Sequence, residues 1–454
     1  MKAVGRPGRR ILGVAAIAAV ALSTAACSGA GGGGGGGASG KTTVTIAAVS
    51  NPQIEDLQKL TKTFESQHKD IDVKFSILPE SQMQDKVTQD IATKGGQFDA
   101  VMLGPDQTNV WAKKKWIADL SGYADKGGYD PGDLIPSVKD ALSVDKKLYA
   151  VPFYSEGAFL TYRKDLFQAA GLTMPAQPTW DDVLTFAKAL NKPGEIAGIC
   201  LRGAPTSGAQ MVYTTMLDTY GGAWYDMKWK STLDSPAVKQ AMTQYLELQK
   251  YGVPGATSAD FPECSNAYAQ GKAAMWYDAT VGATVLEDKA SSTVVGKNGY
   301  APGPVEKTKA ADWFWAWSFA IPETSKNKDA AWQFISWATS KDYAQLVGKE
   351  LGWLHVPPGV RTSTYAIPEY QDATKAFGEQ TKKVIGAVDI KNPGVEPRPY
   401  VGGGWLALPE GQSLQIMFAK EISAALAGSQ TVDQALANAA KAADESAKSA
   451  GLQK

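Results

Sequence analysis

The chain after residue 41 begins with alternating strand-like and helix-like patterns. Apolar and polar residues alternate in Thr42–Ala47 and Ile71–Leu78, and a short buried-strand pattern covers Phe98–Leu103. Between these strands, Gln53–Gln67 and Ser81–Ala92 have the apolar spacing of helices. This β-α-β-α-β order implies a parallel sheet covered by helices. The sequence therefore predicts an α/β protein.

A polar residue follows each of these three strands. These residues are Asn51, Glu80 and Asp106. Ligands of open parallel sheets bind outside the carboxyl ends of the strands, so these side chains are candidates for a binding site. Each could equally cap a helix or occupy a turn, which is the more common role of Asn and Asp.

The stretch from Leu148 to Gly171, LYAVPFYSEGAFLTYRKDLFQAAG, combines an interrupted strand with a short helix. Its first half is apolar, β-branched and aromatic, as in a buried strand. It also contains Pro152, which cannot donate a hydrogen bond to a central ladder. This pattern is compatible with a crossover between two lobes, with Glu156 beside the cleft. The alternative is an ordinary strand that ends in a solvated acid.

Residues 1–27 have the pattern of a signal peptide. Four basic side chains precede the apolar run Ile11–Leu22, and small residues lead to Cys27. The order L-S-T-A-A-C resembles a bacterial lipoprotein signal, with Cys27 as the lipidated residue. Residues 28–41 would then form a Gly-rich tether that holds a folded domain off a membrane. The alternative is a plain secretory peptide.

Charge and cysteine content limit the partners and the compartment. The sequence has 46 Lys and Arg residues against 46 Asp and Glu residues, which recommends neither a nucleic acid nor a membrane surface as partner of the folded part. Cys200 and Cys264 are the two cysteines left after the signal, and an exported protein can form disulfides. A bond between them is predicted, with two separate buried thiols as the alternative.

Few residues in the chain could support catalysis or metal binding. His68 and His355 are its two histidines, and no zinc, EF-hand or nucleophile-elbow motif is present. The sequence therefore predicts no metal, no cofactor and no catalytic residue. A secreted glycoside hydrolase that uses Glu156 and Asp278 as its two carboxylates stays open as an alternative, as does a purely adhesive surface lipoprotein.

Residues 313–321, WFWAWSFAI, form the densest aromatic run. In a strand, Trp313, Trp315 and Trp317 would point to one face, because side chains alternate. Most such stripes belong to a core. Three indole rings in a row would also form a stacking platform for a ligand.

Seven motifs, in order along nearly all of the mature chain, resemble extracellular solute-binding proteins of bacterial ABC importers, the group that includes maltose-binding protein. They are F-x-x-Q-H-x-D-I-x-V (64–73), L-Y-A-V-P-F-Y-S-E (148–156), Y-R-K-D-L-F-x-x-A-G-L (162–172), P-T-W-D-D-V (178–183), G-K-A-A-M-W (271–276), K-N-K-D-A-A-W-x-F-I-x-W-A-T-S (326–340) and T-V-D-Q-A-L (431–436).

Within that group the chain is most similar to sorbitol- and mannitol-binding proteins. The motifs that carry this are I-A-T-K-G-G-Q-F-D (91–99), G-I-C-L-R-G (198–203), W-Y-D-A-T-V (276–281), W-F-W-A-W-S-F-A-I-P (313–322) and V-P-P-G-V-R-T-S-T-Y (356–365). Those proteins usually have another residue near position 264, so the resemblance does not support the disulfide.

The resemblance implies a two-lobed periplasmic-binding-protein fold, type II-like, with a hinge between the lobes and a ligand cleft. The chain would cross between the lobes near Val151, return near Pro302–Pro304 and cross again near Leu351. The expected segments are residues 42–151 and 305–350 for the first lobe, and residues 152–304 and 351–454 for the second.

The resemblance also implies a function. The protein would be an extracytoplasmic lipoprotein, anchored to the cell membrane, that captures a sugar alcohol or a related carbohydrate and delivers it to the permease subunits of an ABC importer. It would do no chemistry. A di- or oligosaccharide is the alternative ligand.

The implied ligand-binding residues offer charged partners to hydroxyl groups and aromatic walls to C–H faces. They are Asn51, Tyr154, Glu156, Arg202, Trp276, Asp278, Trp315 and Trp353, with Glu80 and Asp106 as further candidates. For Arg202 the alternative is a purely structural ion pair.

Overall fold

The structure is a computed structural model that describes residues 40–126, 128–308 and 313–453. The predicted signal peptide, the predicted lipidation site Cys27 and all but the last two residues of the tether lie outside these ranges. Among the described residues, no helix is both long enough and apolar enough to cross a membrane.

The described residues form ten strands and seventeen α-helices. The strands are β1 (Thr42–Val49), β2 (Ile71–Leu78), β3 (Ala100–Leu103), β4 (Ser143–Val144), β5 (Lys147–Leu148), β6 (Val151–Glu156), β7 (Ala158–Arg163), β8 (Met275–Ala279), β9 (Asn298–Pro302) and β10 (Trp315–Ala320). The helices are α1 (Pro52–Gln67), α2 (Glu80–Ala92), α3 (Pro105–Lys113), α4 (Ser121–Lys126), α5 (Pro136–Ala141), α6 (Lys164–Ala169), α7 (Trp180–Leu190), α8 (Ser207–Thr219), α9 (Pro236–Gln249), α10 (Phe261–Ala269), α11 (Gly282–Glu287), α12 (Lys328–Ala338), α13 (Lys341–Glu350), α14 (Pro368–Ala373), α15 (Gly378–Ala387), α16 (Gly411–Leu426) and α17 (Val432–Ser449).

The first lobe is built on a five-stranded sheet with the order β2-β1-β3-β10-β6. β1 pairs in parallel with both β2 and β3, as the β-α-β-α-β pattern predicted. β10, from much later in the chain, runs antiparallel between β3 and β6. The sheet therefore places strands from both halves of the chain side by side.

The strands β6 and β7 lead the chain from one sheet to the other. β6 is an edge strand of the first sheet and ends at Glu156, whereas β7 is the central strand of a three-stranded sheet with the order β8-β7-β9. Pro152 is tolerated in β6 because it lies on an edge strand, beside an irregularity in the pairing with β10. The change of sheet lies at Gly157, after the predicted crossing near Val151.

The segments after the other two predicted crossings also stay with the preceding lobe. Val305 forms a β-bridge with Thr179 at the start of α7, in the second lobe. Arg361 donates hydrogen bonds of 2.9 Å to the carbonyl oxygens of Thr339 and Tyr129, in the first lobe. The lobe limits stay a prediction, and these contacts favour later crossings than the resemblance implied.

The second lobe places α8, α9, α16 and α17 against one another. Beside them, a disulfide bond joins Cys200 and Cys264, the two residues predicted to pair, with their Cα atoms 5.5 Å apart. Both cysteines are fully buried in a small apolar cluster that also contains Tyr268 and Trp276. The bond ties the chain just before Arg202 to the first turn of α10.

Candidate functional site

A cavity of about 80 Å³ lies between the edge of the first sheet and helices of the second lobe. Its acidic and amide groups from the first lobe are Glu80, Gln84, Asp106 and Glu156. The second lobe contributes Arg202, three residues of α8 and two residues of α16, which are Ser207, Gly208, Met211, Gln412 and Gln415.

Three tryptophans form the aromatic wall of this cavity. Trp315 and Trp317 belong to β10 and Trp313 precedes it, so strand alternation brings all three to the cavity, as their spacing predicted. Trp315 lies opposite Glu156 in the pairing of β10 with β6, which puts both side chains on one face of the sheet. A Cβ at Gly104 would lie 2.3 Å from the Trp315 ring, so the ring depends on glycine there.

Two of the acidic groups lie at helix N-termini, where the helix dipole favours negative charge. Glu80 is the first residue of α2, and Asp106 is in the first turn of α3. The Glu80 carboxylate accepts a hydrogen bond of 3.3 Å from Gln84. The buried Oδ1 of Asp106 has no hydrogen-bond partner among the described residues. Both sequence candidates therefore lie at the cavity.

The Glu156 carboxylate is buried without a hydrogen-bond donor from the described residues. The residue is 9 % exposed, and no donor among the described residues lies within hydrogen-bond distance of its carboxylate. Burial raises its pKa to about 8; Arg202 opposes this, and the charges of Asp278 and Glu80 add to it. The Glu156 carboxyl group is therefore poised to exchange a proton near neutral pH.

The pKa values of the other two acids, Asp106 and Glu80, are also raised. Burial raises the pKa of Asp106 to about 6, although the backbone N–H groups of Gln107 and of Asp106 itself counteract it. Desolvation by the surrounding protein raises the pKa of Glu80 to about 7, but much of this residue still reaches solvent. The shift at Glu80 therefore carries less weight than the shift at Glu156.

Arg202 lines the cavity from the second lobe and is held on three sides. Its Nε and Nη2 atoms donate to the two carboxylate oxygens of Asp278 at 2.8 and 2.6 Å, and Nη1 donates to Asp260 at 3.3 Å. Its guanidinium carbon lies 5.2 Å from the centre of the Phe261 ring. Burial lowers the pKa of Arg202, but the carboxylates raise it by more. Since a guanidinium has five N–H groups, two remain for a ligand.

Asp278 and Trp276 lie behind Arg202 rather than in the cavity. The four acceptor positions of the Asp278 carboxylate are filled by two Arg202 nitrogens, the Ala279 N–H (2.7 Å) and Trp276 Nε1 (3.1 Å). Trp276 is 1 % exposed and packs in the cluster around the disulfide. These contacts favour a positioning role for both residues, and the direct ligand contact that the resemblance implied stays a prediction.

Three further sequence candidates do not line the cavity. Asn51 caps α1, with its Oδ1 accepting from the Ile54 N–H at 2.9 Å, and its Nδ2 donates to the Tyr154 hydroxyl at 3.2 Å. Trp353 packs on Gly348, where a Cβ would come within 2.4 Å of the indole ring. The cap is the alternative that the sequence left open for Asn51. Ligand contact by these three residues stays a prediction.

Several lining residues had no signal in the sequence. Gln84 and Gln412 are hydrogen-bonded to each other, which joins α2 of the first lobe to α16 of the second across 328 residues of chain. Gln415 donates to Gln210 at 2.8 Å. Nothing local marks such contacts, because the partners come together only in the folded chain. Trp313 and Trp317 could have been assigned from the alternation in residues 313–321.

The sequence of the chain matches a known family of proteins. The family model of bacterial extracellular solute-binding proteins matches residues 48–345. The mannitol-binding protein of Pseudomonas aeruginosa is 41 % identical over 416 residues, which cover 91 % of this chain and 94 % of that protein.

Two solved structures have the same fold over most of their length. An ABC transporter solute-binding protein from Agrobacterium vitis S4, with bound D-mannitol, has a TM-score of 0.86 and 42 % identity, covering 90 % of this chain and 99 % of that chain. One from Agrobacterium radiobacter K84, in complex with ribitol, has a TM-score of 0.79 and 27 % identity, with coverages of 89 % and 98 %. The predicted two-lobed fold is confirmed, and the chain belongs to the family of bacterial extracellular solute-binding proteins.

Proposed function

We propose that this protein captures a sugar alcohol of the mannitol or sorbitol type and delivers it to the permease subunits of an ABC importer. The observation that carries this is the similarity, at 41–42 % identity over at least 90 % of the chain, to one protein named for mannitol and another solved with D-mannitol bound. The chemistry of the cavity supports the same ligand class.

A linear polyol presents hydroxyl groups on a C–H backbone, and the cavity offers partners to both. The two remaining N–H groups of Arg202 make charge-assisted hydrogen bonds, which are stronger than neutral ones. The Glu156 carboxyl group, which burial keeps largely protonated at neutral pH, makes ordinary hydrogen bonds with a ligand hydroxyl group. The indole rings cover apolar surface, and the Nε1 atoms of Trp313 and Trp315 have no partner among the described residues. We therefore assign Glu156, Arg202 and Trp315 as direct ligand contacts.

The size of the cavity favours a small ligand. Its volume is about 80 Å³. An alditol has fewer non-hydrogen atoms than a disaccharide and is therefore the better match to a cavity of this size. Disaccharide binding, the alternative ligand class, would need a wider opening of the cleft.

The proposed location outside the cytoplasm rests on the family, and the proposed lipid anchor rests on the N-terminal sequence. Family membership places the protein outside the cytoplasm. We propose in addition that Cys27 carries a lipid anchor and that residues 28–41 act as the tether, on the lipoprotein-like L-S-T-A-A-C sequence. A variant with Cys27→Ser should then leave the membrane fraction and appear in the soluble fraction.

We propose that the protein acts without catalysis. The hydrolase alternative needs Glu156 and Asp278 as a pair of free carboxylates, but both oxygens of Asp278 already accept hydrogen bonds from Arg202. Asp278 is therefore not available as a nucleophile or base. Turnover of an aryl glycoside that is lost in Glu156→Gln would contradict this.

Calorimetry against D-mannitol, D-sorbitol, xylitol, maltose and trehalose tests the ligand class. We expect one or more of the alditols to bind with a stoichiometry of one and to raise the unfolding temperature, as a ligand that binds only the folded state must. A response to a disaccharide with all three alditols silent would contradict the polyol assignment and leave the transport role in place.

A further inference from the structure

The charges around the cavity do not balance. Glu80, Asp106 and Glu156 line it from the first lobe, each at the end of a different element. Arg202 is the one basic side chain among the described residues that line it. A neutral polyol leaves this excess of carboxyl groups as it is.

Arg202 cannot fully neutralise these three acids, because it already forms ion pairs with two other carboxylates. Asp278 holds it through two hydrogen bonds, and Asp260 contacts Nη1 at 3.3 Å. These two carboxylates belong to the second lobe and outnumber the guanidinium. Tyr154 adds no charge, since burial and then the neighbouring Glu156 and Glu80 raise its pKa well above the usual value. Arg202 therefore compensates the acids of the first lobe only in part, by lowering the pKa of Glu156 and of Glu80 against the effect of burial.

Buried carboxylates that are not fully paired are costly, so Asp106 and Glu156, each 9 % exposed, either take up protons or receive a cation. A metal ion does not fit, because no group of three acidic, His or Cys side chains among the described residues is close enough together to hold one. A cation carried by a flexible organic ligand can reach a single carboxylate. The geometry therefore favours an ammonium group over a metal ion.

We propose that the cavity also accepts polyols that carry a protonated amine, with the ammonium group beside Glu156 and the hydroxyl groups on Arg202. This rests on the proposed function, whose ligand class it extends to aminoalditols. Glu156 is the position for the ammonium because its carboxylate has no protein donor among the described residues. Glu80 instead accepts from Gln84, and Asp106 is at a helix N-terminus.

The proposal has a defined pH dependence. Burial raises the pKa of Glu156 to about 8, so at neutral pH much of this carboxyl group is protonated before the ligand arrives. An ammonium group favours the ionised form, and its binding releases the proton. Affinity for the aminoalditol should therefore rise as pH increases towards the pKa of Glu156 and level off above it. The amine itself keeps its proton throughout, since aliphatic amines titrate near pH 10.

The experiment compares 1-amino-1-deoxy-D-mannitol with D-mannitol by calorimetry on the full mature chain. Release of one proton changes affinity by at most about tenfold per pH unit. Between pH values of about 6 and about 8, we expect the affinity for the amine to rise about tenfold or more, and the affinity for D-mannitol to change less than about threefold. Buffers of different ionisation enthalpy would register the proton released with the amine alone.

A matched pair of variants assigns the effect to one carboxyl group. Glu156→Gln should reduce the ratio of the two affinities by about tenfold at the higher pH, since a charged hydrogen bond is replaced by a neutral one. Glu396→Gln, which removes an exposed carboxylate in a surface loop, should leave both affinities unchanged.

The outcomes separate this inference from the proposed function. If D-mannitol binds but the amine gains nothing at higher pH, or if Glu156→Gln keeps the ratio, the inference is overturned and the proposed function stands. If neither compound nor any other alditol binds, the proposed function itself is contradicted. Tight, proton-releasing binding of the amine that depends on Glu156 supports the inference.

Discussion

The two walls of the cavity differ in how well their polar groups are paired within the protein. On the second-lobe wall, Arg202 is fixed by Asp278 and Asp260 and stacked near Phe261, and a disulfide ties the chain beside it to α10. On the first-lobe wall, several polar atoms have no partner within the part of the chain that the structure describes, among them the Nε1 atoms of two tryptophans and Oδ1 of Asp106.

The difference shows how the cleft can select a ligand. The Arg202 wall is ordered before binding, so its hydrogen bonds cost little additional entropy. The tryptophan and acid wall leaves buried polar groups unsatisfied, and each such group costs about 1–3 kcal/mol until it finds a partner. A ligand that satisfies them in the closed form shifts the equilibrium towards closure. One wall therefore positions the ligand, and the other favours closing around it.

Arg202→Ala should have the largest effect on affinity, because it removes the donors of the ordered wall. Each charged hydrogen bond to a ligand hydroxyl is worth about 1.5–3 kcal/mol, so D-mannitol binding should weaken by more than about tenfold. Calorimetry measures this. The variant also leaves Asp278 buried without its cation, and its unfolding temperature should fall.

Asp278→Asn tells positioning from contact. By itself it should weaken binding, because Arg202 loses its bidentate partner. In the Arg202→Ala background the same substitution should change affinity little, since there is no guanidinium left to position. Two fully additive losses would mean that Asp278 contacts the ligand directly, as the resemblance implied.

Trp315→Ala tests the opposite wall and should have an intermediate effect. Loss of about 40 Å² of contact with ligand C–H groups costs about 1 kcal/mol, or about fivefold in affinity. The ring packs on Gly104 in the first-lobe wall, and Arg202 belongs to the opposite wall, so the losses in a Trp315→Ala/Arg202→Ala double variant should add. Strong coupling between them would contradict the separation of the two walls.

Replacement of Cys200 and Cys264 by serine should affect affinity least and stability most. The bond closes a loop of 64 residues and contributes about 4 kcal/mol on the chain-entropy model, so the unfolding temperature should fall by many degrees. In the fraction that remains folded, Arg202 keeps Asp278, and D-mannitol affinity should fall only about threefold. A loss as large as that of Arg202→Ala would mean that the disulfide, rather than Asp278, orders this wall.

The sequence predicts the first-lobe wall better than the second-lobe wall. Alternation along residues 313–321 was enough to predict that Trp315 shares a face with Trp313 and Trp317, because strand geometry is local. The parallel pairing of β1 with β2 and β3 also followed from local order. Much of the first-lobe wall could thus be predicted from the sequence.

The partners of Arg202 could not be predicted from local sequence patterns. Asp260 and Asp278 lie 58 and 76 residues from it along the chain, and nothing in their local sequence says that they hold a guanidinium. The resemblance implied that Asp278 and Trp276 contact the ligand, which stays a prediction, and it did not indicate that Asp278 pairs with Arg202. Asn51 was open to two interpretations; its hydrogen bond to the Ile54 N–H shows the helix cap, and ligand contact by this residue stays a prediction.

A crystal structure of the mature protein with D-mannitol tests the account most directly. We expect the alditol in the cavity, with hydroxyl oxygens about 2.7–3.2 Å from Nη1 or Nη2 of Arg202 and from the Glu156 carboxylate, and with its C–H face on Trp315. Asp278 should keep its two hydrogen bonds to Arg202. An alditol bound elsewhere, or bound through Asp278 with Arg202 displaced, would contradict the assignment of the two walls.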